Sequence, residues 1–218
     1  MNEDNLLQVI ISNINKLTQP AIVGISGAYT SGKTYLTNQL AQRLRDRGMK
    51  VQVIHYDDFH NPLSSVTWND KPGDEVEAFY NRAFNTEKLL KEVLLPIKQQ
   101  CSLQATVMGL DWSTEAYNNP ISLDIDSKTI VLVEGVLLFK DELNQYFDYE
   151  VFLDVCDTEI LKRGKQRDVP KFGLDILQKY RERYIPVYHR YLEIDAPITS
   201  ANMVIDNNNI EDPIILKK

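Results

Sequence analysis

The sequence predicts an α/β fold in which a parallel sheet lies between two layers of helices, with a small lid. Short apolar runs typical of strands buried on both faces recur along the 218-residue chain. Segments whose apolar residues follow helical spacing separate these runs. Strands that alternate with helices favour parallel pairing through right-handed crossovers. The length of the chain suits one domain, so we expect a single domain over residues 1–218, with the lid at about 160–178.

Five apolar runs are the expected strands of this sheet. Their ranges are 21–25, 51–54, 129–133, 149–155 and 203–205. Runs of this length without helical periodicity are typical of strands that are covered on both faces. The pattern therefore predicts helices above and below the sheet.

Helices are expected before and between the strands. An amphipathic segment precedes the first strand and should end before Pro20, and leucines at helical spacing after residue 34 predict a helix that Gly48 can terminate. Asn85 or Thr86 can cap a helix that extends to about residue 100. A tyrosine stripe at 180–191 also has helical spacing, and we interpret it mainly as packing.

Two stretches give weaker signals. Residues 64–84 are polar and aromatic, with WNDKPGD at their centre, and we interpret them as an ordered loop. Residues 101–127 show some apolar–polar alternation, which indicates an extended excursion from the sheet.

Composition excludes several classes of protein. The net charge of −7 gives no electrostatic footprint for nucleic acid. No apolar stretch approaches the length of a membrane span, and the first residues lack the features of a secretory signal. Cys101 and Cys156 are too few for a disulfide framework. We therefore expect a cytoplasmic protein that binds neither nucleic acid nor membrane, and a homo-oligomer remains open.

The octapeptide GAYTSGKT, residues 27–34, matches the phosphate-loop pattern and lies between an apolar run and a predicted helix. Gly27 and Gly32 allow the backbone N–H groups to curl around phosphate oxygens. Lys33 can reach the β- and γ-phosphates, and the Thr34 hydroxyl can ligate Mg²⁺. A chance glycine turn is the alternative, but the strand–loop–helix context favours a P-loop NTPase fold that binds ATP.

The expected nucleotide contacts comprise this loop, the residue after it and one distant arginine. They are Gly27, Ala28, Tyr29, Thr30, Ser31, Gly32, Lys33, Thr34, Tyr35 and Arg163.

Carboxylates follow two of the predicted strands. Asp57 and Asp58 come after the second strand, and Glu134 ends the third. Ligands bind beyond the carboxyl ends of strands in open parallel sheets, so Glu134 and at least one of the two aspartates should face this crevice. We expect Asp57 to take the proton of an acceptor hydroxyl and Glu134 to hold Mg²⁺ with Thr34. Solvated acids and turn formers are the alternatives.

The segment EILKRGKQRDVPKFG follows the fourth strand and is rich in cations. A mobile cationic element can close over a triphosphate and exclude water. We expect Arg163 and Arg167 to contact phosphate, whereas the lysines fit a solvated helix face equally well. Lys33, Asp57 and Arg167 are thus the expected catalytic residues.

Several stretches together resemble the uridine kinase and phosphoribulokinase family, and they occur in the same order. They are IVGISGAYTSGKTYL, VIHYDDFHNP, IVLVEGVLLF, KRGKQRD, RYIPVYHRY and SANMVIDN, and the resemblance spans about residues 20–207. It implies that Asp57 activates the acceptor hydroxyl and that Glu134 and Arg167 match the family's strand glutamate and lid arginine. The expected acceptor contacts are Asp57, Phe59, His60, Trp112 and Arg167.

This chain departs from the family at the acceptor side. Uridine–cytidine kinases carry a Tyr-Asp-Phe element followed by a histidine, where this chain has GLDWSTEAY, with Asp111 and Trp112 as loose counterparts. Their lid continues with arginines that flank a glycine, whereas Phe172 and Leu174 flank Gly173 here. The double aspartate of YDDF also looks like nicotinamide riboside kinases.

We therefore expect an ATP-dependent kinase that phosphorylates a primary hydroxyl of a nucleoside, with uridine as the leading acceptor. The alternative acceptors are nicotinamide riboside, pantothenate and a sugar phosphate. A nucleotide-hydrolysing switch protein is a further alternative, but the chain lacks the N-K-x-D element of guanine-specific switches.

Overall fold

A six-stranded sheet organises the computed structural model, which describes residues 3–65 and 74–218. The strand order is β2-β5-β1-β6-β7-β8, and every neighbouring pair is parallel except the antiparallel pair β7–β8. The strands are β1 (Ala21–Gly27), β2 (Val51–His55), β5 (Ile130–Gly135), β6 (Tyr149–Asp154), β7 (Met203–Asp206) and β8 (Ile214–Lys217). The five predicted strands are confirmed, whereas β8 was not predicted.

The excursion between the second and third predicted strands is a two-stranded antiparallel hairpin. It consists of β3 (Leu103–Asp111) and β4 (Ala116–Ile125). Few of its residues are fully buried, so its sequence shows only a partial apolar–polar alternation and predicted the strands weakly.

Helices cover both faces of the sheet, as predicted. The longer ones are α1 (Glu3–Ile14), α2 (Lys33–Arg45), α3 (Asp74–Arg82), α7 (Asp157–Phe172) and α9 (Ile185–Ile194). The shorter ones are α4 (Thr86–Leu89), α5 (Leu95–Gln100), α6 (Asp141–Asn144), α8 (Ile176–Lys179) and α10 (Pro197–Ser200). Single π-helical turns at Leu90–Leu94 and Tyr180–Tyr184 join α4 to α5 and α8 to α9.

The interpretation of residues 64–84 as an ordered loop is wrong for its second half. Residues 74–82 form α3, whose apolar face packs into the core through Ala78 and Phe79. Glu75 and Glu77 precede these apolar positions, and the tertiary contacts of the helix outweigh the polar composition of the segment. Most of WNDKPGD lies outside the described residues.

Two hydrophobic clusters lie on opposite faces of the sheet because alternate strand residues point to opposite sides. Along β1, Ala21, Val23 and Ile25 pack with α1 and α2, whereas Ile22 packs with the other cluster, which includes α3 and α9 residues. The tyrosine stripe at 180–191 belongs largely to the cluster that contains Ile22, which agrees with its interpretation as packing. No helix in the described ranges is both long and apolar enough to span a membrane.

Candidate active site

The phosphate loop lies between the end of β1 and the start of α2, as the motif requires. Gly27 has a φ of 155° and Gly32 a φ of 97°, which other residues rarely adopt. A Cβ atom on Gly27 would lie 2.5 Å from the Leu153 carbonyl oxygen. Thr30 has a φ of 58°, a strained conformation for a β-branched residue and one that is common at functional sites.

Side chains from later elements hold this loop in shape. Asn207 donates a hydrogen bond from Nδ2 to the Ser31 carbonyl (2.7 Å). Arg163 donates to the carbonyls of Thr30 (3.4 Å) and Asn207 (2.7 Å). Arg163 thus lies against the loop backbone and the segment after β7. These hydrogen bonds support the loop independently of any contact between Arg163 and phosphate.

Asn207 was not among the expected site residues. It follows the last parallel strand, where a short polar residue after an apolar run was the only sequence signal. Its contact with Ser31 joins residues 176 positions apart, so its role depends on tertiary structure.

The carboxylates and the loop lysine meet at one edge of the sheet. Lys33 is buried and donates from Nζ to the Ala28 carbonyl (2.7 Å). Thr34 donates from Oγ1 to Glu134 Oε1 (3.0 Å), and His55 Nδ1 lies 2.7 Å from the same oxygen. His55 was not among the expected site residues. It is the last residue of β2, two positions before Asp57, so it also lies at this edge of the sheet.

The charges in this crevice shift one another's pKa. Burial lowers the pKa of Lys33, although Glu134 and Asp57 act in the opposite direction. Burial and then the Glu134 charge raise the pKa of Asp57. Burial alone would raise the pKa of Glu134, but its bond with His55 and the Lys33 charge hold it below its usual value. Glu134 is therefore ionised, and Asp57 is a carboxylate with increased proton affinity.

The oxygen atoms of Thr34 and Glu134 suit a hard cation such as Mg²⁺. Mg²⁺ takes oxygen ligands and commonly needs only one or two carboxylates, because it keeps several waters. Across residues 3–65 and 74–218, three or more His, Cys, Asp or Glu side chains do not gather as a separate metal site. The donor set therefore fits Mg²⁺ better than a zinc site.

The expected acceptor residues lie in two different environments. His60 is buried, and its ring packs against the rings of Phe84 (4.9 Å between centroids) and Trp112 (5.0 Å). Trp112 is about half exposed (51%), at the end of β3. Phe59 is 1% exposed and belongs to the hydrophobic core, and it is not among the residues that line the cavity described next.

A cavity of about 490 Å³ lies beside this group. Its apolar lining includes Tyr29, Trp112, Phe172, Ile176, Tyr180 and Tyr184. Its charged lining consists of Arg167, Asp168, Asp175 and Lys179. The volume falls within the range of small-molecule sites.

Arg167 lies on α7 and faces this cavity. A bidentate pair, Nε to Oδ1 at 2.7 Å and Nη2 to Oδ2 at 2.9 Å, ties its guanidinium to Asp168. Burial and, to a smaller extent, the Arg167 charge lower the pKa of Lys33. Tyr35, by contrast, is 48% exposed and bonds Glu3 (3.0 Å) on the outer surface.

Comparison with known proteins agrees with this geometry. The model of the phosphoribulokinase/uridine kinase family matches residues 22–212. A uridine kinase of Limosilactobacillus reuteri is 26% identical over 185 residues, which cover 83% of this chain and 81% of the relative. A uridine kinase of Lactiplantibacillus plantarum is 27% identical over 183 residues, with coverage of 82% and 84%.

Solved structures share the architecture. The structure of a possible uridine kinase from Bacillus stearothermophilus matches with a TM-score of 0.73 and 25% identity, and the match covers 92% of this chain and 97% of that chain. The sheet order, the phosphate loop and the family match over most of the sequence lead to one conclusion: the chain is a P-loop kinase that belongs to the phosphoribulokinase and uridine kinase family.

Proposed function

We propose that the protein transfers the γ-phosphate of ATP to a primary hydroxyl group of a nucleoside, with uridine as the leading acceptor. The observation that carries this proposal is the position of Asp57, which follows β2 at the sheet edge where His55 pairs with Glu134 and which is influenced by the charges of Glu134 and Lys33. Burial and then the Asp57 charge raise the pKa of Tyr29, which lines the aromatic cavity. Relatives that are named uridine kinases support the choice of acceptor.

The chemistry follows from these placements. The acceptor oxygen forms a bond to the γ-phosphorus while the bond from that phosphorus to the β–γ bridging oxygen breaks, and ADP leaves. Asp57 takes the proton of the acceptor hydroxyl, and its increased proton affinity makes it a better base than an exposed aspartate. Lys33, the loop N–H groups and Arg167 stabilise the charge on the phosphate oxygens.

Thr34 and Glu134 would hold Mg²⁺, which neutralises charge on the β- and γ-phosphates when it is bound. The residues at about 160–178, which carry Arg163 and Arg167, would act as a lid over the phosphates. Such a lid excludes water, which otherwise competes with the acceptor hydroxyl. The whole chain would work as a single kinase domain.

A panel of acceptors tests this function. Purified protein with ATP and Mg²⁺ should phosphorylate uridine or cytidine faster than nicotinamide riboside, pantothenate or ribulose 5-phosphate, as measured by product analysis. Strong turnover of one of the last three and none of uridine would contradict the nucleoside assignment. ATP hydrolysis that is unaffected by every acceptor would favour a switch protein.

Asp57→Asn tests the catalytic assignment. We expect turnover to fall by roughly 10²–10⁴-fold because the amide cannot take a proton, while affinity for a non-hydrolysable ATP analogue is retained. Asp58→Asn is the matched control, since Asp58 is the neighbouring aspartate and has no assigned role. Equal losses in the two variants would remove Asp57 from its special role.

A further inference from the structure

The side chain of Tyr29 lies on the acceptor side of the site, although the residue belongs to the phosphate loop. Its ring stacks on Tyr184 with centroids 4.4 Å apart and an angle of 28° between the planes. It also meets Phe79 edge to face at 6.3 Å. Tyr29 lines the 490 Å³ cavity together with Tyr184 and Trp112.

Tyr29 also interacts electrostatically with the expected base. Burial, and then the Asp57 carboxylate, raise the pKa of its phenol, so the group stays neutral. The loop backbone around Tyr29 is fixed by Thr30, whose Oγ1 bonds the carbonyls of Tyr29 and, at 3.1 Å, Ile160. The ring is thus held between the donor loop and the acceptor cavity.

Among the residues that the structure describes, the charges of the cavity lining balance. Arg167 and Lys179 provide two positive charges, and Asp168 and Asp175 provide two negative ones. Arg167 is already paired with Asp168 through two hydrogen bonds. A lining with no net charge gives little attraction to an acceptor that carries its own phosphate or carboxylate group.

Two exposed aromatic side chains line the cavity. Phe172 is 66% exposed and lines the cavity, and Trp112 faces it from the β3–β4 hairpin. Large exposed aromatic side chains around a concave space are typical of a binding site. Flat rings stack well on such side chains, and stacking does not require a particular hydrogen-bond pattern.

We propose that Tyr29 is an acceptor-selecting residue, whose ring, with Tyr184 and Trp112, recognises an uncharged planar ring of the acceptor by stacking. The inference rests on the proposed kinase function and adds to it that a residue of the donor loop selects the acceptor. It also gives a physical reason for the expected preference for nucleosides over anionic sugars.

Kinetics of Tyr29→Ser and Tyr29→Phe test this role. With saturating ATP, Tyr29→Ser should raise the KM for uridine about ten-fold or more because a stacking surface is lost. Its Kd for a non-hydrolysable ATP analogue should stay within about two-fold of the wild-type value, since loop N–H groups and Lys33 hold the phosphates. Tyr29→Phe keeps the ring and should keep a KM close to wild type.

Two further variants test whether a change in KM arises from altered folding rather than from the lost aromatic face. Tyr29→Leu retains apolar bulk without an aromatic face, and the same rise in KM is expected. Phe147→Leu removes a ring from the Phe139–Phe147 pair, whose centroids are 5.6 Å apart and whose rings do not line the cavity. Phe147→Leu should leave both the KM for uridine and the analogue Kd unchanged.

The outcomes separate the two proposals. If the wild type phosphorylates uridine but Tyr29→Ser leaves its KM unchanged, only this inference fails. A loss of analogue affinity equal to the loss of acceptor affinity would assign Tyr29 to the donor and also overturn it. If the wild type turns over ribulose 5-phosphate but no nucleoside, the proposed function fails, and this inference fails with it.

Discussion

Single side chains decide whether the phosphate loop keeps its shape, and Asn207 is the clearest case. It is 7% exposed, and its amide lies where a Cβ atom on Gly32 would come within 2.8 Å. Its backbone N–H bonds the Asp154 carbonyl (2.9 Å), and its side chain bonds the Ser31 carbonyl. Asn207 therefore joins the ends of β6 and β7 to the loop, and Gly32 is required because this amide occupies the space.

Replacement of Asn207 by alanine should affect both stability and nucleotide binding. The Ser31 carbonyl would lose a buried hydrogen bond, so we expect a loss of about 1–3 kcal/mol in the free energy of unfolding, measured with urea. We also expect several-fold weaker binding of an ATP analogue. Asn209 is exposed, and Asn209→Ala should change the stability by less than about 0.5 kcal/mol. Equal effects of the two replacements would contradict the assigned role.

At the level of elements, strand register brings the chemistry together. His55 of β2 pairs with Glu134 of β5, and Ile25 of β1 pairs with Glu134 from the other side. Because the three strands run parallel, their carboxyl ends meet at one edge. Asp57, two residues beyond His55, and the phosphate loop, which begins two residues beyond Ile25, are therefore neighbours.

Strand β6 also carries a buried acid that is not part of the site. Burial raises the pKa of Glu150 to about 7, although Lys217 of β8 acts in the opposite direction. A carboxyl whose pKa is raised on folding stabilises the protein fully below its unfolded pKa, and this contribution is lost as the pH rises towards 7.

Glu150→Gln should remove this pH dependence. At pH 8 the variant should be more stable than the wild type by about 1–2 kcal/mol, because no buried charge has to form. At pH 5 the difference should be much smaller. Urea unfolding at the two pH values measures both quantities, and the same difference at pH 5 and pH 8 would exclude titration of Glu150 as the cause.

For the whole molecule, the two hydrophobic clusters build a rigid frame whose functional groups lie at one edge. Burial of β1 and β5 on both faces leaves their carboxyl ends as the positions where polar groups can reach solvent. We expect a ligand at this edge to contact the loop after β1, the end of β5 and α7 together. Nucleotide binding should therefore stabilise the entire fold against unfolding.

Thermal unfolding with an ATP analogue measures this coupling. At 100 times its Kd, a ligand that binds only the folded state contributes about 2.7 kcal/mol. Lys33→Ala should lose at least half of the ligand-induced rise in Tm at the same ligand concentration, because the buried ammonium is the main cation of the loop. Lys16→Ala, which removes an exposed lysine bonded only to Asn13 in the described contacts, should keep the full rise. An unchanged rise in the Lys33 variant would remove Lys33 from nucleotide binding.

Much of the frame could be predicted from local patterns. The sequence predicted the apolar runs of β1 and β5 and the helix cap at Asn85, because each depends on neighbouring residues. The Asn85 side chain accepts a hydrogen bond from the Lys88 backbone N–H (3.0 Å). The segment that forms α3 was misread because its polar composition hides an apolar face that only packing reveals. The short strand β8 lies at the edge with exposed Ile214 and Leu216, so burial gave it no pattern.

The sequence by itself determined the α/β fold, the phosphate loop and the family, since these depend on periodicity and on motifs within a few residues. Tertiary structure alone decided the surroundings of that loop. It brought Asn207 to Ser31, His55 to Glu134 and the Tyr29 ring to Tyr184. Such contacts join residues that are 79 to 176 positions apart, and they arise from strand order and packing, which no local pattern of residues encodes.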